Sequence, residues 1–346
     1  MIGSIVIPYK AGNSFRERNL LFTIEYYLKN FPDIEVILSE QNGDSEISNA
    51  LSTKYGGRFF HYNHIIIDEY FCKSKLINLG VLSSNSDLLM MIDGDVILPV
   101  NSIYKAFDYC KNETCSVYQP FSYINYLTES QTRQYIREGI VTQYKTSEIM
   151  PIQKYTGGVN VFSKKTFQFV NGFDEYISGW GSEDDSFLAK IKRMIGPIHW
   201  CDEQVTLLHL WHPKSNTNEY LSTPRYISNR KASACIQRMT MSELNDYTSN
   251  IDPVNYLRNK IDEYEKKGLL HLMCKIPVSN TFISIDCTVY PVLFNSNGIG
   301  TFSNFCEVFV AESSPDDLIN TLRRFPNIYN NLTYDDNQIL NKYIAM

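Results

Sequence analysis

The 346-residue chain has no apolar run approaching the ~18 residues that a membrane-spanning helix requires. Its opening strand-like stretch, Ser4-Ile5-Val6-Ile7-Pro8, is too short for a secretory or anchoring segment. A soluble, cytoplasmic protein is therefore expected, with peripheral contact at the inner face of a membrane left open. The chain also has no surplus of basic charge: Lys and Arg number 32 against 38 Asp and Glu, giving a net charge of −6. A general grip on nucleic acid is excluded on that balance. None of the eight cysteines, at 72, 110, 115, 201, 235, 274, 287 and 306, forms a CxxC pair. That spacing argues against a zinc ribbon or a disulfide framework and for reduced thiols. Internal repeats and low-complexity tracts are missing too.

What remains is an ordinary globular balance, 43% hydrophobic and 20% charged, with aromatics at 13% and 24 tyrosines. At this length the prior is one large domain and a smaller one. The first half alternates strand-like and helix-like patterns: strands at 5–7, 34–38, 59–62 and 88–92, helices at 17–30, 45–54, 73–83 and 102–110. This rhythm predicts an α/β fold, a mostly parallel Rossmann-like sheet with helices on both faces. Further on, helices are expected at 129–145 and 182–194, a strand at 158–162, an extended stretch at 199–211 and a polar loop at 213–224. From about 230 the character changes. A helix at 255–267, strands at 283–292 and 306–311 and a helix at 315–324 suggest a smaller α+β module over 240–346.

Ligands of parallel sheets bind beyond the carboxyl ends of the strands, and the chemistry-bearing residues cluster there. Asp93-Gly94-Asp95 follows the apolar run 88–92. Two carboxylates two apart on an extended segment share a face, and hard oxygen ligands suit Mg²⁺ or Mn²⁺. Gly94 would let the backbone turn. His209 and His212 lie just before the polar loop, and imidazole shifts preference toward Mn²⁺. Glu183-Asp184-Asp185 follows Gly179-Trp180-Gly181-Ser182. Ser182 with Asp185 also reads as a capping-box-like helix start, but a cap does not explain three consecutive acids. Gly157-Gly158 before a strand suggests backbone pressed against a ligand or a neighbour.

In order and spacing these segments resemble the inverting, metal-dependent glycosyltransferases of the β-1,4-galactosyltransferase group and bacterial relatives such as chondroitin polymerases. The resemblance covers about residues 4–230 and implies a GT-A fold over 1–239, with a nucleotide-binding half, 1–100, and an acceptor and metal half, 101–239. Pro8, Tyr9 and Lys10 fall at the end of the family's opening strand, by the uracil and ribose. Arg16 and Arg18 stand a few residues beyond where the family places its arginines. Phe71 to Gly80 is similar to the family's Phe-Asn-Arg-Ala-Lys-Leu-Leu-Asn-Val-Gly, which puts Phe71 by the uracil and Lys73 by the phosphates. Asp93, Gly94 and Asp95 match the DxD, whose second acid binds metal. Gly158 begins the strand beside the donor sugar, and Tyr155 falls where the group has a donor-selecting Tyr that contacts the site. Gly179 to Asp185 matches the Gly-Trp-Gly-Gly-Glu-Asp-Asp signature. That match implies Asp184 as catalytic base, with Glu183 and Trp180 holding the sugars. His212 matches the metal-binding His, His209 sits where vertebrate members have Met, and Arg225-Tyr226 resembles an acceptor-lining Arg-Phe pair.

The resemblance implies transfer of a hexose, galactose or N-acetylgalactosamine, from a UDP-sugar to a saccharide or glycolipid acceptor with β-linkage, in surface polysaccharide or glycolipid synthesis. Mn²⁺ is the expected cofactor, Mg²⁺ the second choice; nucleic acid is not an expected partner. Two other readings stand beside it: a retaining transferase of the polypeptide N-acetylgalactosaminyltransferase type, and a non-catalytic carbohydrate-binding protein on a degenerate fold. The role of 240–346 and the oligomeric state stay open.

Overall fold

The computed structural model describes residues 1–43, 46–112, 117–139, 149–151, 157–201, 204–213, 223–267 and 270, together with the strand backbones of 274–278, 281–286 and 290–295. Two compact units are present, Met1–Leu257 and Arg258–Met346.

The first unit is built on strands β1 (Gly3–Lys10), β2 (Ile34–Gln41), β3 (Phe59–His64) and β4 (Leu88–Ile92), interleaved with helices α1 (Ser14–Asn30), α2 (Glu46–Tyr55) and α3 (Lys73–Ser83). Beyond β4 come β5 (Val96–Ile97), α4 (Val100–Lys111), β6 (Val117–Gln119), β7 (Tyr123–Tyr126), α5 (Glu129–Glu138), β8 (Ile149–Pro151) and β9 (Val159–Ser163). The unit continues through α6 (Lys164–Phe169), α7 (Glu183–Met194), β10 (Ile198–Trp200), β11 (Thr206–His209), α8 (Pro224–Arg238) and α9 (Met241–Thr248). Helix α10 (Pro253–Lys266) follows.

Seven strands form one sheet in the order β10-β6-β9-β4-β1-β2-β3. Only β9 runs against its neighbours, pairing antiparallel with β4 and β6. The expected mostly parallel α/β sheet is thus present. Its strands read as continuous apolar runs because both faces are covered. Alternate residues of β1 and β4 split between two cores. Ile5, Ile7, Met90 and Ile92 pack with α1 and α4 through Leu20, Ile24 and Phe107. Val6, Leu89 and Met91 pack with α3 and α7 through Ile77, Val81 and Phe187. Each such side chain contributes roughly 1.5–3 kcal/mol of transfer free energy. Gly80 of α3 allows that helix to sit close on β1, since a Cβ there would lie 2.5 Å from Val6 Cγ1.

A second sheet, β5-β11-β7-β8, is mixed. The extended stretch expected at 199–211 is in fact two strands, β10 in the large sheet and β11 in the small one. The helix expected over 129–145 ends at Glu138, capped by Gly139 in the left-handed region (φ 69°), where a residue without Cβ carries no steric penalty. The 239/240 division expected from sequence falls inside the first unit, before α9. In the second unit, strands β12 (Cys274–Val278), β13 (Thr281–Asp286) and β14 (Tyr290–Asn295) form an antiparallel sheet. The single strand expected at 283–292 is therefore two, paired from Asp286 with Tyr290 back to Thr281 with Asn295. The elements expected at 306–311 and 315–324 lie outside the described residues.

Helix α9 is tied to α7 through a buried polar group. Lys190 Nζ donates to Asp174 Oδ1 and to the Gly172 carbonyl, both at 2.7 Å. Tyr247 Oη donates to the same Asp174 oxygen at 2.5 Å. Lys190 and Asp174 side chains are each 1% exposed. Removing one partner of such a pair strands a charge in a low-dielectric interior. Asp174→Ala is expected to destabilise the first unit by about 3–5 kcal/mol. The double variant Asp174→Ala/Lys190→Met is expected to recover most of that loss, both read by urea unfolding.

Candidate active site

The site lies where β4 ends. The Asp93 N–H donates to the Gly158 carbonyl at 3.2 Å, joining the strand end to the start of β9. The Leu210 N–H donates to the Asp95 carbonyl at 2.8 Å, and His209 pairs in register with Val96. The Gly179 N–H donates to the Phe71 carbonyl at 2.8 Å. Ordinary backbone hydrogen bonds thus tie remote segments together in pairs around the site.

Lys73, at the first position of α3, is the centre of one half of the site. Its Nζ lies 3.1 Å from Asp93 Oδ1, 3.2 Å from Glu183 Oε1 and 3.3 Å from Asp184 Oδ2. Burial works to strip its proton. The Asp184, Asp93 and Glu183 carboxylates around it overcome that and hold its pKa well above the usual lysine value. Asp184 shifts upward as well. Burial is the first cause, the neighbouring Glu183 and Asp93 charges add to it, and Lys73 opposes it. Asp184 Oδ2 is held by Lys73, while Oδ1 is buried with no hydrogen-bond partner among the described residues. The geometry leaves one oxygen of a proton-hungry carboxylate free.

Helix α7 positions Glu183 and Asp184 in its first turn, where negative charge meets the positive end of the helix dipole. The capping-box expectation fails: Ser182 takes a left-handed backbone (φ 77°) and makes no side-chain cap bond. This turn swings the acids inward instead. Gly157 explains itself against them, since a Cβ there would lie 2.6 Å from Asp184 Oδ2. Gly94 is not in the left-handed region. Its smallness serves close packing, with a Cβ placed 3.0 Å from Leu20 Cδ1, so the turn-enabling role expected for it is replaced by a steric one.

Asp95, His209 and His212 form the other half. Their candidate ligand atoms all lie within 4.8 Å of one another. His212 Nε2 is 3.3 Å from Asp95 Oδ2, and His209 Nε2 is 3.8 Å from Asp95 Oδ1. Each ring donates through Nδ1 to a backbone carbonyl, His209 to Leu210 at 3.1 Å and His212 to Pro213 at 3.0 Å. A carbonyl only accepts, so Nδ1 carries a proton in each ring and Nε2 is the atom turned toward the carboxylate, able to offer a lone pair to an ion when the ring is neutral. Three acceptors facing one point call for a cation, and two imidazoles with one carboxylate fit Mn²⁺-class ions. Burial would raise the Asp95 pKa. The His209 and His212 rings and the nearby Arg16 outweigh it and pull the carboxyl down to about 2, so this ligand is ionised throughout the neutral range.

The remaining sequence-derived residues divide. Pro8 and Tyr9 end β1, Tyr9 buried with its phenol pushed up to about 12, first by burial and then by Glu17 and Glu40. Lys10, expected with them by the uracil and ribose, has its Nζ bound to backbone carbonyls. It donates to the Glu69 carbonyl at 2.7 Å and the Tyr70 carbonyl at 3.2 Å, tying down the loop that carries Phe71. Trp180, 55% exposed, stacks on Tyr226 with ring centroids 6.1 Å apart. Arg225 lies over the Tyr70 ring at 5.0 Å and 3.9 Å from Asp68 Oδ2. Tyr155 lies outside the described residues, as does most of the expected 213–224 loop.

One site neighbour escapes the motif reading. Asp68 joins Arg225 to Ser178, whose Oγ donates to it at 3.3 Å, and no sequence pattern marks it. Arg16, which stands beyond where the family places its arginines, has its Nη2 3.5 Å from His212 Nδ1.

Residues 138–206 match the family model described as the N-terminal domain of galactosyltransferase. The chain is 26% identical over 137 residues to a Drosophila melanogaster β-1,4-galactosyltransferase 7, covering 39% of this chain and 38% of that protein. It is 31% identical over 140 residues to the Mus musculus β-1,4-galactosyltransferase 7, covering 39% of this chain and 35% of that one. The matched segment thus spans little more than a third of either relative. Among solved structures, GalNAc-T7 with UDP, GalNAc and Mn²⁺ aligns with a TM-score of 0.47 at 13% identity, over 76% of this chain and 55% of the other. The family-model match contains Gly157, Gly158 and the 179–185 acidic turn, while Asp95, His209 and His212 lie outside it and converge through the fold. On these matches, residues 138–206 form a segment similar to the galactosyltransferase family, set within a mostly parallel α/β sheet.

Proposed function

We propose that the protein is an inverting glycosyltransferase that moves a hexose, galactose or N-acetylgalactosamine, from a UDP-sugar to a saccharide or glycolipid acceptor with β-linkage. One observation carries this reading. The two acidic clusters, ninety positions apart in the chain, meet on a single ammonium, Lys73, at 3.1–3.3 Å. The metal-type cluster Asp95, His209 and His212 begins two residues from Asp93.

In this reading Asp95, His209 and His212 would hold Mn²⁺, which would supply Lewis-acid stabilisation of diphosphate charge. Asp184 is the general base: its unpartnered Oδ1 takes the proton from an acceptor hydroxyl. The acceptor oxygen forms its bond to the anomeric carbon as the bond from that carbon to the diphosphate oxygen breaks and UDP leaves. Attack opposite the leaving group turns an α-linked donor into a β-linked product. Lys73 fixes Asp184 through Oδ2 and keeps a positive charge beside the phosphates' path. The Trp180–Tyr226 stack offers a ring face to a sugar. We place the enzyme at the inner face of a membrane, in surface polysaccharide or glycolipid synthesis. The exposed Ile65 and Ile67, on the loop that leads to Phe71, support contact with lipid there.

The proposal is tested by turnover, product anomer, metal binding and pH dependence. Among a panel of UDP-sugars with Mn²⁺ and simple acceptors, UDP release is expected with UDP-galactose or UDP-N-acetylgalactosamine. Asp184→Asn is expected to lower kcat by about 10²–10⁴-fold, and NMR of the product should show a β-anomer; an α-anomer would point to a retaining enzyme. Calorimetric Mn²⁺ titration of Asp95→Ala and of His212→Ala should show binding at least about tenfold weaker than in the unaltered chain. The rate should rise with pH as Asp184 loses its proton, with the acid limb above the ordinary carboxylate range, since its pKa is raised. Lys73→Met removes the one cation that opposes this shift, so the limb should move to still higher pH in the pH profile of kcat.

A further inference from the structure

A second cleft lies away from the catalytic residues, between α4 and the β10–β6 edge of the large sheet. It has a volume of about 370 Å³, within the range of small-ligand sites. One wall is aromatic. Tyr109 and Tyr118 have ring centroids 4.8 Å apart, and Tyr109 and His199 5.5 Å apart. The Tyr109 hydroxyl and His199 Nδ1 meet at 3.1 Å. Trp200, 48% exposed, lines the same cleft, and Ser102 and Lys105 bring polar groups from α4.

The half-exposed tryptophan is the informative residue. A large apolar ring left in water is normally excused as chance, but this one is held in place. Its indole N–H donates to Gln119 Oε1, and Gln119 Nε2 donates in turn to Asn160 Oδ1 at 3.0 Å. Gln119 and Asn160 are fully buried. A buried amide chain of this kind sets the angle of the exposed ring and removes its rotational freedom before any ligand arrives. The polar edge of the indole is already satisfied, so only its face is on offer. A fixed aromatic face beside hydroxyl, imidazole and ammonium groups matches a pyranose, which is apolar on its C–H face and polar around its rim.

We propose that this cleft is a second saccharide-binding subsite, holding a sugar unit of a neutral β-linked oligosaccharide against the Trp200 face. None of its residues is assigned to metal, donor or base. The subsite would grip a longer glycan at a point separate from the reacting end. Its role is binding, so its test does not require that the transferase reading be right.

The probes are lactose, N-acetyllactosamine and the tetrasaccharide built from two N-acetyllactosamine units, titrated into the full chain without UDP-sugar. Saturation-transfer NMR and calorimetry are the readouts. In a Trp180→Ala/Asp184→Asn background, which disables the catalytic acceptor position, the tetrasaccharide is expected still to bind. Adding Trp200→Ala should weaken that binding by about three- to tenfold, the range of ring-stacking energies, and Trp200→Phe should restore part of it. Lys105→Ala, an exposed change that leaves the aromatic wall in place, should also weaken binding, which guards against a Trp200 variant that is simply misfolded. If the chain is active, Trp200→Ala alone should raise KM for the tetrasaccharide while kcat and the rate on a monosaccharide stay unchanged. The subsite is overturned if none of the three probes binds the Trp180→Ala/Asp184→Asn protein, or if Trp200→Ala and Lys105→Ala both bind the tetrasaccharide as tightly as their parent.

Discussion

A buried ammonium shared by three carboxylates organises this molecule's chemistry. Lys73 offers one positive charge to Asp93, Glu183 and Asp184. The cluster is therefore short of cation, and Asp95 lies close by with a strongly acidic carboxyl. Desolvated like charges are costly, and an electronegative pocket repels a diphosphate. Such a site accepts an anionic donor only with additional positive charge. The converging lone pairs of His209, His212 and Asp95 provide the place for it, and Arg16 stands behind His212. Burial first, and then the Glu183 and Asp93 charges that Lys73 only partly offsets, raise Asp184, the property that the proposed general base requires. Filling the cation deficit permanently would lower that basicity.

Much of the large sheet was legible because its strands are short apolar runs set between amphipathic helices. Runs such as Leu88-Leu89-Met90-Met91-Ile92 admit few other readings when turn residues bracket them. The second sheet was not legible. Strand β5 has two residues and β8 three, too short for any period to show. The stretch at 199–211 looked continuous because Ile198–Trp200 and Thr206–His209 are both extended; only tertiary pairing sends them to different sheets. The paired strands β13 and β14 were read as one for a related reason, since apolar–polar alternation runs along the sequence from one into the other.

At the site, residue types were easier to read than roles. Asp93, Asp95, Glu183, Asp184, His209 and His212 were all visible as clusters of ligating or titrating groups. The resemblance implied their division into a metal group and a base group, but no pattern showed that Lys73 would join Asp93 to Glu183 and Asp184. Lys10 shows the limit in the other direction. The resemblance put it by the uracil and ribose, and its ammonium is bound to loop carbonyls. Charge can be read from a sequence, but whether a charge is already satisfied depends on backbone positions that side-chain patterns do not record.

The register between the two sheets explains why the halves meet at all. Asp95 is the last residue before β5, and β5 leaves the large sheet to pair with β11 in the small one. His209 sits opposite Val96, one residue from Asp95, and the Leu210 N–H closes on the Asp95 carbonyl. Asp93, two residues earlier, is still bound to the large sheet through Gly158. The tripeptide Asp93-Gly94-Asp95 therefore spans the junction, one carboxylate directed to each half. Gly94 is packed so tightly on Leu20 that the hinge has little room to slide. A one-residue slip would turn both acids to the opposite face, leaving Lys73 without Asp93 and the imidazoles without Asp95. The spacing of that short motif is thus a constraint imposed by two sheets meeting, and the metal-type cluster and the base cluster inherit their separation from it.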